Sequence, residues 1–201
     1  MTFCPNCSRR LSSRKIDQRE RMLCESSSGG CGFIDFGFFT LGVGGIVLDT
    51  DSAKQGKILL IQRNQEPNRG SWTIPGGFVE AEETAEVSVV RELEEETGLH
   101  CSVVGLVGFR NRVDPGVNTS YAVFLLNRTG GEIRQGSTPE IAQVRFFGLP
   151  ELENLAALTP LSKEVAVAAL TQRLRVLQPV PISGRRHRPH FTLFLGEGSQ
   201  G

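Results

Sequence analysis

The sequence predicts an α/β domain whose mixed sheet is covered by helices on both faces, with a small cysteine-bearing module in front of it. Three observations support this fold class. β-rich stretches alternate with two helical stretches, one of these helices is acidic and ends at a glycine, and four of the five cysteines fall in the first 31 residues. We divide the chain into a module at 1–36, a main domain at 37–177 and a basic, glycine-rich tail at 178–201.

Each predicted element of the main domain has the periodicity of its type and ends at glycine, proline or polar residues. The predicted strands are Phe38–Leu48, Lys57–Arg63, Cys101–Phe109, Ser120–Leu126 and Val144–Phe147. The predicted helices are Thr84–Thr97, followed by Gly98 at the position of a helix-ending glycine, and Leu161–Leu177. A turn is expected at Pro75-Gly76-Gly77, and much of the tail is expected to be loosely ordered.

Composition places the chain among ordinary globular proteins. Hydrophobic residues make up 39% and charged residues 22%, and the formal net charge is zero, so bulk charge favours neither nucleic acid nor membrane as a partner. No apolar run approaches the roughly 18 residues that a membrane helix needs. The start of the chain has no pattern of a secretion signal, so we expect a cytoplasmic location, where paired cysteines more often hold metal than form disulfides.

The predicted acidic helix carries the chemistry. Eight glutamates and one arginine, Arg91, lie between residues 80 and 96. Glu92, Glu95 and Glu96 stand at i, i+3 and i+4, so they share one face of a helix. Carboxylates crowded in this way repel one another unless a cation lies among them, and hard oxygen ligands select magnesium or manganese. Because magnesium also prefers phosphate oxygens, a phosphate compound is the predicted substrate. The alternative is a solvated acidic face.

The spacing within this segment resembles the signature of the Nudix hydrolase family, G-x5-E-x7-R-E-U-x-E-E-x-G-U, where U is a bulky aliphatic residue. The matching positions are Gly77, Glu83, Arg91-Glu92-Leu93, Glu95-Glu96 and Gly98-Leu99, so every fixed position agrees. The resemblance covers about residues 37–177 and implies a Nudix α/β/α sandwich with a mixed sheet, in a zinc-ribbon-containing subgroup.

The resemblance implies metal ligands and catalytic residues. It implies that Mg²⁺ (or Mn²⁺) is held by the Gly76 carbonyl and by Glu92, Glu95 and Glu96. Glu92 or Glu95 is a candidate for the catalytic glutamate, and which of the acidic residues takes the proton stays open. Arg91 is expected to orient a glutamate such as Glu83.

Glu140 is a further acidic candidate. It lies just before the predicted strand Val144–Phe147, where Nudix enzymes often supply one more acidic ligand. The alternative is a surface loop charge, and the two interpretations weigh evenly.

Candidates for substrate binding are aromatic residues and arginines outside the signature. Trp72 and Phe109 can stack on a base, as can Tyr121, although aromatic residues in strands more often belong to the core. Arg63, Arg110 and Arg112 are candidates to grip the distal phosphate or a ribose, and the alternative is that they are solvent-facing ends of strands.

The expected reaction is hydrolysis of the pyrophosphate bond in a nucleoside diphosphate linked to another group. Pro115, 16 residues after Leu99, resembles a mark of ADP-ribose pyrophosphatases, although an ordinary Asp-Pro-Gly turn explains it equally well. ADP-ribose, cleaved to AMP and ribose 5-phosphate, is therefore the first expectation. NADH and FAD stay open, and the NADH relatives' downstream S-Q-P-W-P-F-P array is missing.

A function of a different class is an ADP-ribose-sensing or nucleic-acid-binding regulator that uses the cysteine module. Sensors of this family tend to have eroded signatures, and this signature is complete. The basic residues of the module are diluted by acidic ones, so nucleic acid is not the expected partner.

The cysteines of the module predict a structural zinc site. Cys4-x2-Cys7 is a tight knuckle suited to tetrahedral zinc, and Cys24-x6-Cys31 is a wider second pair with a flexible insert. The segment resembles the zinc ribbon that precedes some Nudix domains, and such a ribbon is expected to brace the catalytic domain or a homodimer. The alternative is a partly decayed ribbon with reduced thiols. Cys101 is expected in the core.

Overall fold

The computed structural model describes residues 1–49, 56–114, 117–134, 136–180 and 192–196. The chain divides into two compact units. Unit 1 comprises Met1–Phe39 and Val113–Asn118, and unit 2 comprises Thr40–Arg112 and Thr119–Gly201. Within the described residues, no helix combines the length and the apolar character needed to cross a bilayer.

Unit 1 contains a β-hairpin that the sequence analysis does not predict. Strands β1 (Ser12–Ile16) and β2 (Arg19–Leu23) pair antiparallel. Asp17 and Gln18 join them, both with positive φ (48° and 66°), which suits the tight turn of a two-residue hairpin. A single turn of 3-10 helix follows at Ser26–Ser28.

The main sheet has six strands in the order β5-β4-β3-β7-β6, and β8 pairs with β4. Their bounds are β3 Phe38–Asp49, β4 Lys57–Arg63, β5 Trp72–Thr73, β6 Leu99–Asp114, β7 Val117–Gly131 and β8 Ile141–Phe147. A separate two-stranded sheet pairs β9 (Gln178–Val180) with β10 (Leu193–Leu195). The helices are α1 Ala85–Thr97, α2 Leu149–Glu153 and α3 Pro160–Leu170.

Helix α1 has the boundaries that its sequence predicts. The Thr84 side chain accepts a hydrogen bond from the Val87 amide and caps the N-terminus. Gly98 ends the helix with φ 78°, and a β-carbon there would come 2.6 Å from the Glu132 carbonyl oxygen. The position therefore requires glycine both for its backbone angle and for its close approach to β7.

Helices cover the sheet on both faces because side chains alternate along the strands. Val43 and Val47 of β3 pack with Val89 and Leu93 of α1 in one buried cluster. Ile46, between them in sequence, belongs to a second cluster, which also holds buried residues of α2 and α3: Leu152, Ala166 and Ala169. The predicted α/β architecture with a sheet between helices is confirmed.

Predicted bounds differ from the observed ones in the second helix, in strands β6 and β7, in β8, which begins at Ile141, and in the tail. The helix predicted to reach Leu177 ends at Leu170, because Gln172 takes φ 55° and Leu177 instead exchanges two backbone hydrogen bonds with Leu106 (3.0 and 2.8 Å). Strands β6 and β7 run several residues further than predicted at both ends, since backbone pairing continues through polar side chains. In the tail, β9 and β10 are ordered strands, and the rest of the predicted loose segment lies mostly outside the described residues.

Ser162 of α3 ties the helix to the strand that leads into the Pro75–Gly77 turn. It is 1% exposed, and its hydroxyl accepts a hydrogen bond from the Ile74 amide at 3.0 Å and lies 2.9 Å from the Thr73 hydroxyl. We expect Ser162→Ala to lower the free energy of unfolding by about 1–3 kcal/mol, because it leaves the Ile74 amide unpaired. Urea unfolding measures this change.

Ser102→Ala is the matched control for this prediction, because Ser102 is exposed on β6. Its expected effect is within about 0.5 kcal/mol. Equal free energies of unfolding for the two variants would show that the hydrogen bond from the Ile74 amide to the Ser162 hydroxyl does not stabilise the fold.

Candidate active site

The predicted signature folds as a loop that enters α1, and Glu96 is its most buried acid. Glu96 is 8% exposed, and its carboxylate accepts a hydrogen bond from the Gly76 amide at 2.8 Å. Gly76 has φ 153°, and a β-carbon on it would overlap the Val43 carbonyl oxygen. Only glycine lets the loop pass this close to β3. The same residue donates its amide to Glu96, so the loop also contacts the last turn of α1.

Glu92 lies against the same loop, one turn earlier on the helix. A β-carbon at Gly77 would overlap the Glu92 carboxylate, so this glycine also makes room for the site. Burial raises the pKa of Glu92, and the charges of Glu95 and Glu140 add to the rise. Burial raises the pKa of Glu96 to about 8, an effect that the Gly76 amide opposes. Both carboxylates are thus costly to ionise unless a cation is close.

Arg91 is the central cation of the signature. Its guanidinium donates to both oxygens of Glu83, at 3.1 and 2.7 Å, and to Glu92 at 2.9 Å and Glu95 at 3.1 Å. The Arg91 guanidinium lowers the pKa of Glu83 to about 2. Because one arginine contacts three carboxylates, it sets the orientation of Glu83, Glu92 and Glu95.

The three glutamates of the predicted metal face do not converge on one point. Glu96 turns toward the Gly76 amide, Glu92 packs at Gly77, and Glu95 is 60% exposed and bonded to Arg91. Among the described residues, the group of three or more potential ligands whose atoms lie within 4.8 Å of one another is made of cysteines. The glutamates share one side of α1, but the loop amide and Arg91 direct them differently.

Glu140 and Arg63 lie within electrostatic reach of the buried acids. Glu140 is exposed immediately before β8, and its charge contributes to the raised pKa values of Glu92 and Glu96. Arg63, at the end of β4, opposes the rise at Glu96, and its Nε donates to the Pro67 carbonyl at 3.0 Å. These two predicted residues therefore border the site from elements other than α1.

The structure corrects the prediction that Trp72 stacks on substrate. Trp72 is 7% exposed, and its ring packs edge-on against Phe147 at 4.7 Å between centroids. Its position on the short strand β5, beneath α3, places it in the core. Phe109 is 65% exposed and Arg112 is also exposed, so both remain accessible to a ligand. Pro115 lies outside the described residues.

Tyr121 and Arg110 form an arrangement that sequence reasoning did not identify as a unit. The Tyr121 side chain lies over Gly42 and Gly44 of β3, where β-carbons would come 2.7 Å from the ring and 2.5 Å from the hydroxyl, respectively. The Arg110 guanidinium carbon lies 5.6 Å from the ring centroid. Two glycines at i and i+2 of one strand, facing an aromatic residue, are the sequence signal for such a contact.

The four cysteines of unit 1 form a second candidate site, suited to a metal. Their sulfur atoms all lie within 4.8 Å of one another, with Cys4–Cys31 at 3.5 Å and Cys7–Cys24 at 3.4 Å. A tetrahedral zinc with Zn–S bonds of about 2.3 Å needs sulfur–sulfur distances of about 3.8 Å. The donor set and its spacing fit zinc.

The wide spacing of the second cysteine pair is explained by the insert's own fold. The 3-10 turn Ser26–Ser28 ends at Gly29 with φ 79°, and the Gly30 amide donates back to the Glu25 carbonyl at 2.8 Å. The Cys31 amide then donates to the Cys24 sulfur at 3.4 Å. The extra residues are looped out, so Cys31 returns beside Cys24.

The chain is similar in sequence to curated proteins. The chain is 42% identical over 113 residues to the ADP-ribose pyrophosphatase of Methanocaldococcus jannaschii, covering 55% of this chain and 66% of that one. It is 37% identical over 105 residues to the human 8-oxo-dGDP phosphatase NUDT18, covering 52% and 32%. The chain thus spans less than two thirds of the length of either curated relative.

The fold is shared with solved structures. A NUDIX hydrolase from Nitrosomonas europaea superposes with a TM-score of 0.64 at 24% identity, covering 86% of this chain and 92% of that one. The family model described as the NUDIX domain matches residues 39–168, which contain the loop and α1. Because this match takes in well over half of the chain, the protein belongs to the NUDIX domain family.

Proposed function

We propose that this protein hydrolyses the pyrophosphate bond of a nucleoside diphosphate linked to another group, with ADP-ribose as the first candidate substrate. Water adds to one phosphorus atom, the bridging P–O bond breaks, and AMP and ribose 5-phosphate leave. The observation that carries the proposal is the pair of carboxylates, Glu92 and Glu96, held against the Gly76-Gly77 loop.

Magnesium or manganese fits the donors of this site. Glu92 and Glu96 are partly or fully buried oxygen donors whose charges repel each other, and no described cation bonds directly to Glu96. A divalent ion would offset that repulsion, with Glu92, Glu95, Glu96 and the Gly76 carbonyl as its proposed ligands. When bound, such an ion neutralises phosphate oxygens and lowers the pKa of a water molecule.

The chain's own residues have separate proposed roles in the reaction. Glu92 or Glu95 is the candidate to accept the proton of the attacking water, with Glu140 as the acidic residue from outside the helix. Arg91 keeps Glu83, Glu92 and Glu95 oriented and does not need to touch the substrate. Arg63, Phe109, Arg110 and Arg112 are the proposed substrate-binding residues.

The comparisons favour ADP-ribose, and the complete signature favours hydrolysis over sensing. The archaeal relative at 42% identity is named an ADP-ribose pyrophosphatase. Other relatives are named for 8-oxo-dGDP and for NAD-capped RNA, so the group attached to the diphosphate is tested with a substrate panel. A sensing role without hydrolysis is less favoured, because the acidic residues of the signature are all present and oriented.

The deciding experiment is the release of AMP from ADP-ribose, measured by chromatography with and without Mg²⁺. We expect magnesium-dependent production of equal amounts of AMP and ribose 5-phosphate. A parallel panel of NADH, FAD and 8-oxo-dGDP tests the attached group. No turnover on any of the four substrates, together with salt-sensitive binding of RNA, would instead support the regulator.

Three further features belong to the proposal. The cysteines of the segment 1–36 hold a structural zinc ion, since their sulfur positions and chemistry fit one. The protein acts in the cytoplasm, and it forms a homodimer if the ribbon braces a second copy. The division into 1–36, 37–177 and 178–201 is part of the same hypothesis.

A further inference from the structure

Arg110 of β6 is a cation without an anionic partner in the described part of the chain. Its guanidinium makes no hydrogen bond or ion pair there, and its Nε atom is buried without an acceptor. A buried donor left unpaired is costly, and an arginine kept in that state is suited to an acceptor that comes from outside. Its described contact is the cation–π interaction with Tyr121.

Tyr121 is fixed in place by the backbone of β3. A β-carbon at Gly42 would come 2.7 Å from the ring, and one at Gly44 would come 2.5 Å from the hydroxyl and 2.7 Å from Ile74. The two glycines therefore provide a flat floor on which the ring lies. Any larger residue at either position would displace the ring, and Arg110 with it.

The nearby carboxylates are already engaged elsewhere, which leaves Arg110 free to bind an external anion. Glu92 is bonded to Arg91, and Glu96 accepts the Gly76 amide. The Tyr121 ring lies at Gly42, and a β-carbon on Gly42 would also come 3.3 Å from the carbonyl oxygen of Gly77, the residue that packs on Glu92. Arg110, stacked on that ring, is therefore on the side of the sheet where the loop and its acids lie.

We propose that Arg110, held in position by Tyr121 on the Gly42–Gly44 floor, binds a phosphoryl group of the substrate. Guanidinium is planar and donates two parallel hydrogen bonds to phosphate oxygens, which fixes the orientation of the diphosphate beside Glu92 and Glu96. This inference rests on the proposed function for the identity of its ligand as a nucleoside diphosphate. Arg110 touches the substrate, and Tyr121 is a positioning residue.

The first test is calorimetric binding of ADP in the presence of Mg²⁺, which does not depend on turnover. Arg110→Met keeps an unbranched apolar stem and removes the guanidinium charge, and we expect ADP affinity to fall roughly 10- to 100-fold. With ADP-ribose as substrate, KM is expected to rise by a similar factor, with a smaller change in kcat. Tyr121→Leu is expected to reproduce part of this loss, whereas Tyr121→Phe, which keeps the ring, retains most of the affinity.

Unit 1 offers a matched control. Arg21 lies over the Phe36 ring at 4.5 Å, and its Nε is also buried without an acceptor. Arg21→Met therefore removes an arginine from the same kind of stack, and ADP affinity is expected to stay within about twofold of the wild type. An equal loss in the Arg21 and Arg110 variants would overturn the proposal.

Smaller ligands identify the group that Arg110 binds. Weaker binding of AMP or of ribose 5-phosphate to Arg110→Met supports the proposal and shows which phosphate is held. An equal loss for adenosine, which has no phosphate, would overturn it in favour of base stacking. Unchanged ADP affinity in Arg110→Met would overturn it as well.

The Arg110 phosphate site and the proposed hydrolysis of ADP-ribose are contradicted by different results. If the wild type does not cleave ADP-ribose but binds ADP through Arg110, the proposed substrate is wrong and the phosphate site stands. Cleavage of ADP-ribose with unchanged KM in Arg110→Met would leave the function intact and overturn the site. No cleavage of ADP-ribose, together with no binding of ADP, AMP or ribose 5-phosphate to the wild type, would overturn both.

Discussion

Glu96→Gln is expected to lower kcat for pyrophosphate hydrolysis about 100- to 1000-fold, because it removes a buried negative charge from the proposed metal site. The fold should survive, since the glutamine amide oxygen can still accept the Gly76 amide. In EDTA the melting temperature is expected to equal or exceed that of the wild type. Burial raises the pKa of Glu96 from its ordinary value of 4.5 to about 8, so without metal, folding near neutral pH costs the uptake of a proton, a cost that glutamine does not have.

Glu94→Gln is the matched control for this variant. Glu94 lies on the same helix, but its side chain is 57% exposed and its partner is His100, at 3.5 Å. We expect its kcat to stay within about twofold of the wild type, as for other surface substitutions. Steady-state kinetics and thermal melts of both variants complete the test. Near-normal kcat in Glu96→Gln would contradict the assigned role.

Removal of zinc is expected to have the largest effect on stability. The buried cluster of unit 1 consists of Cys4, Leu11 and Cys24, with Met22 and Phe33 partly buried against it, which is too small a core to hold the hairpin alone. Structural zinc contributes on the order of 10 kcal/mol to the folding of such modules. Stripping it from the full chain should therefore abolish hydrogen-exchange protection in β1 and β2.

The rate of hydrolysis, measured after Mg²⁺ is restored, should fall by a smaller factor than the hydrogen-exchange protection of β1 and β2. The reason is that the residues of the acidic site all belong to unit 2. The matched variants are Cys31→Ser and Cys101→Ser. Cys101 is buried in the main core and takes no part in the cysteine cluster, so its variant should keep its zinc, whereas Cys31→Ser should lose it. An unchanged melting temperature after verified removal of zinc would contradict a structural ribbon.

The catalytic helix could be predicted from sequence because its signals are local. Thr84 caps it, Gly98 ends it, and the spacing of its glutamates places them on one side. The direction of each carboxylate could not be predicted in the same way. Glu96 turns toward the Gly76 amide of a loop that the helix meets only in three dimensions. Glu95 turns toward Arg91 on the same helix, but the sequence does not show that Arg91 also binds Glu83 and Glu92.

The predictions that differ from the structure also depend on contacts between segments that are distant in the sequence, or on strands without a clear apolar pattern. The indole ring of Trp72 is of a type that can stack on a base. The short strand that carries it is covered by α3, however, so the ring lies in the core. The helix predicted to reach Leu177 ends earlier because pairing with Leu106 competes for its last residues. The hairpin of β1 and β2 was missed since its strands are polar and lack apolar alternation.

The insert between Cys24 and Cys31 shows that the spacing of two ligands in the sequence does not determine the distance between their sulfur atoms. Backbone hydrogen bonds from Gly30 to Glu25 and from Gly32 to Cys24 bring the two ends of the insert together. The two cysteines are therefore adjacent although six residues separate them in the sequence. The number of residues between two ligands is therefore a poor basis for judging whether a metal site has been lost, since a wide spacing here still returns Cys31 beside Cys24.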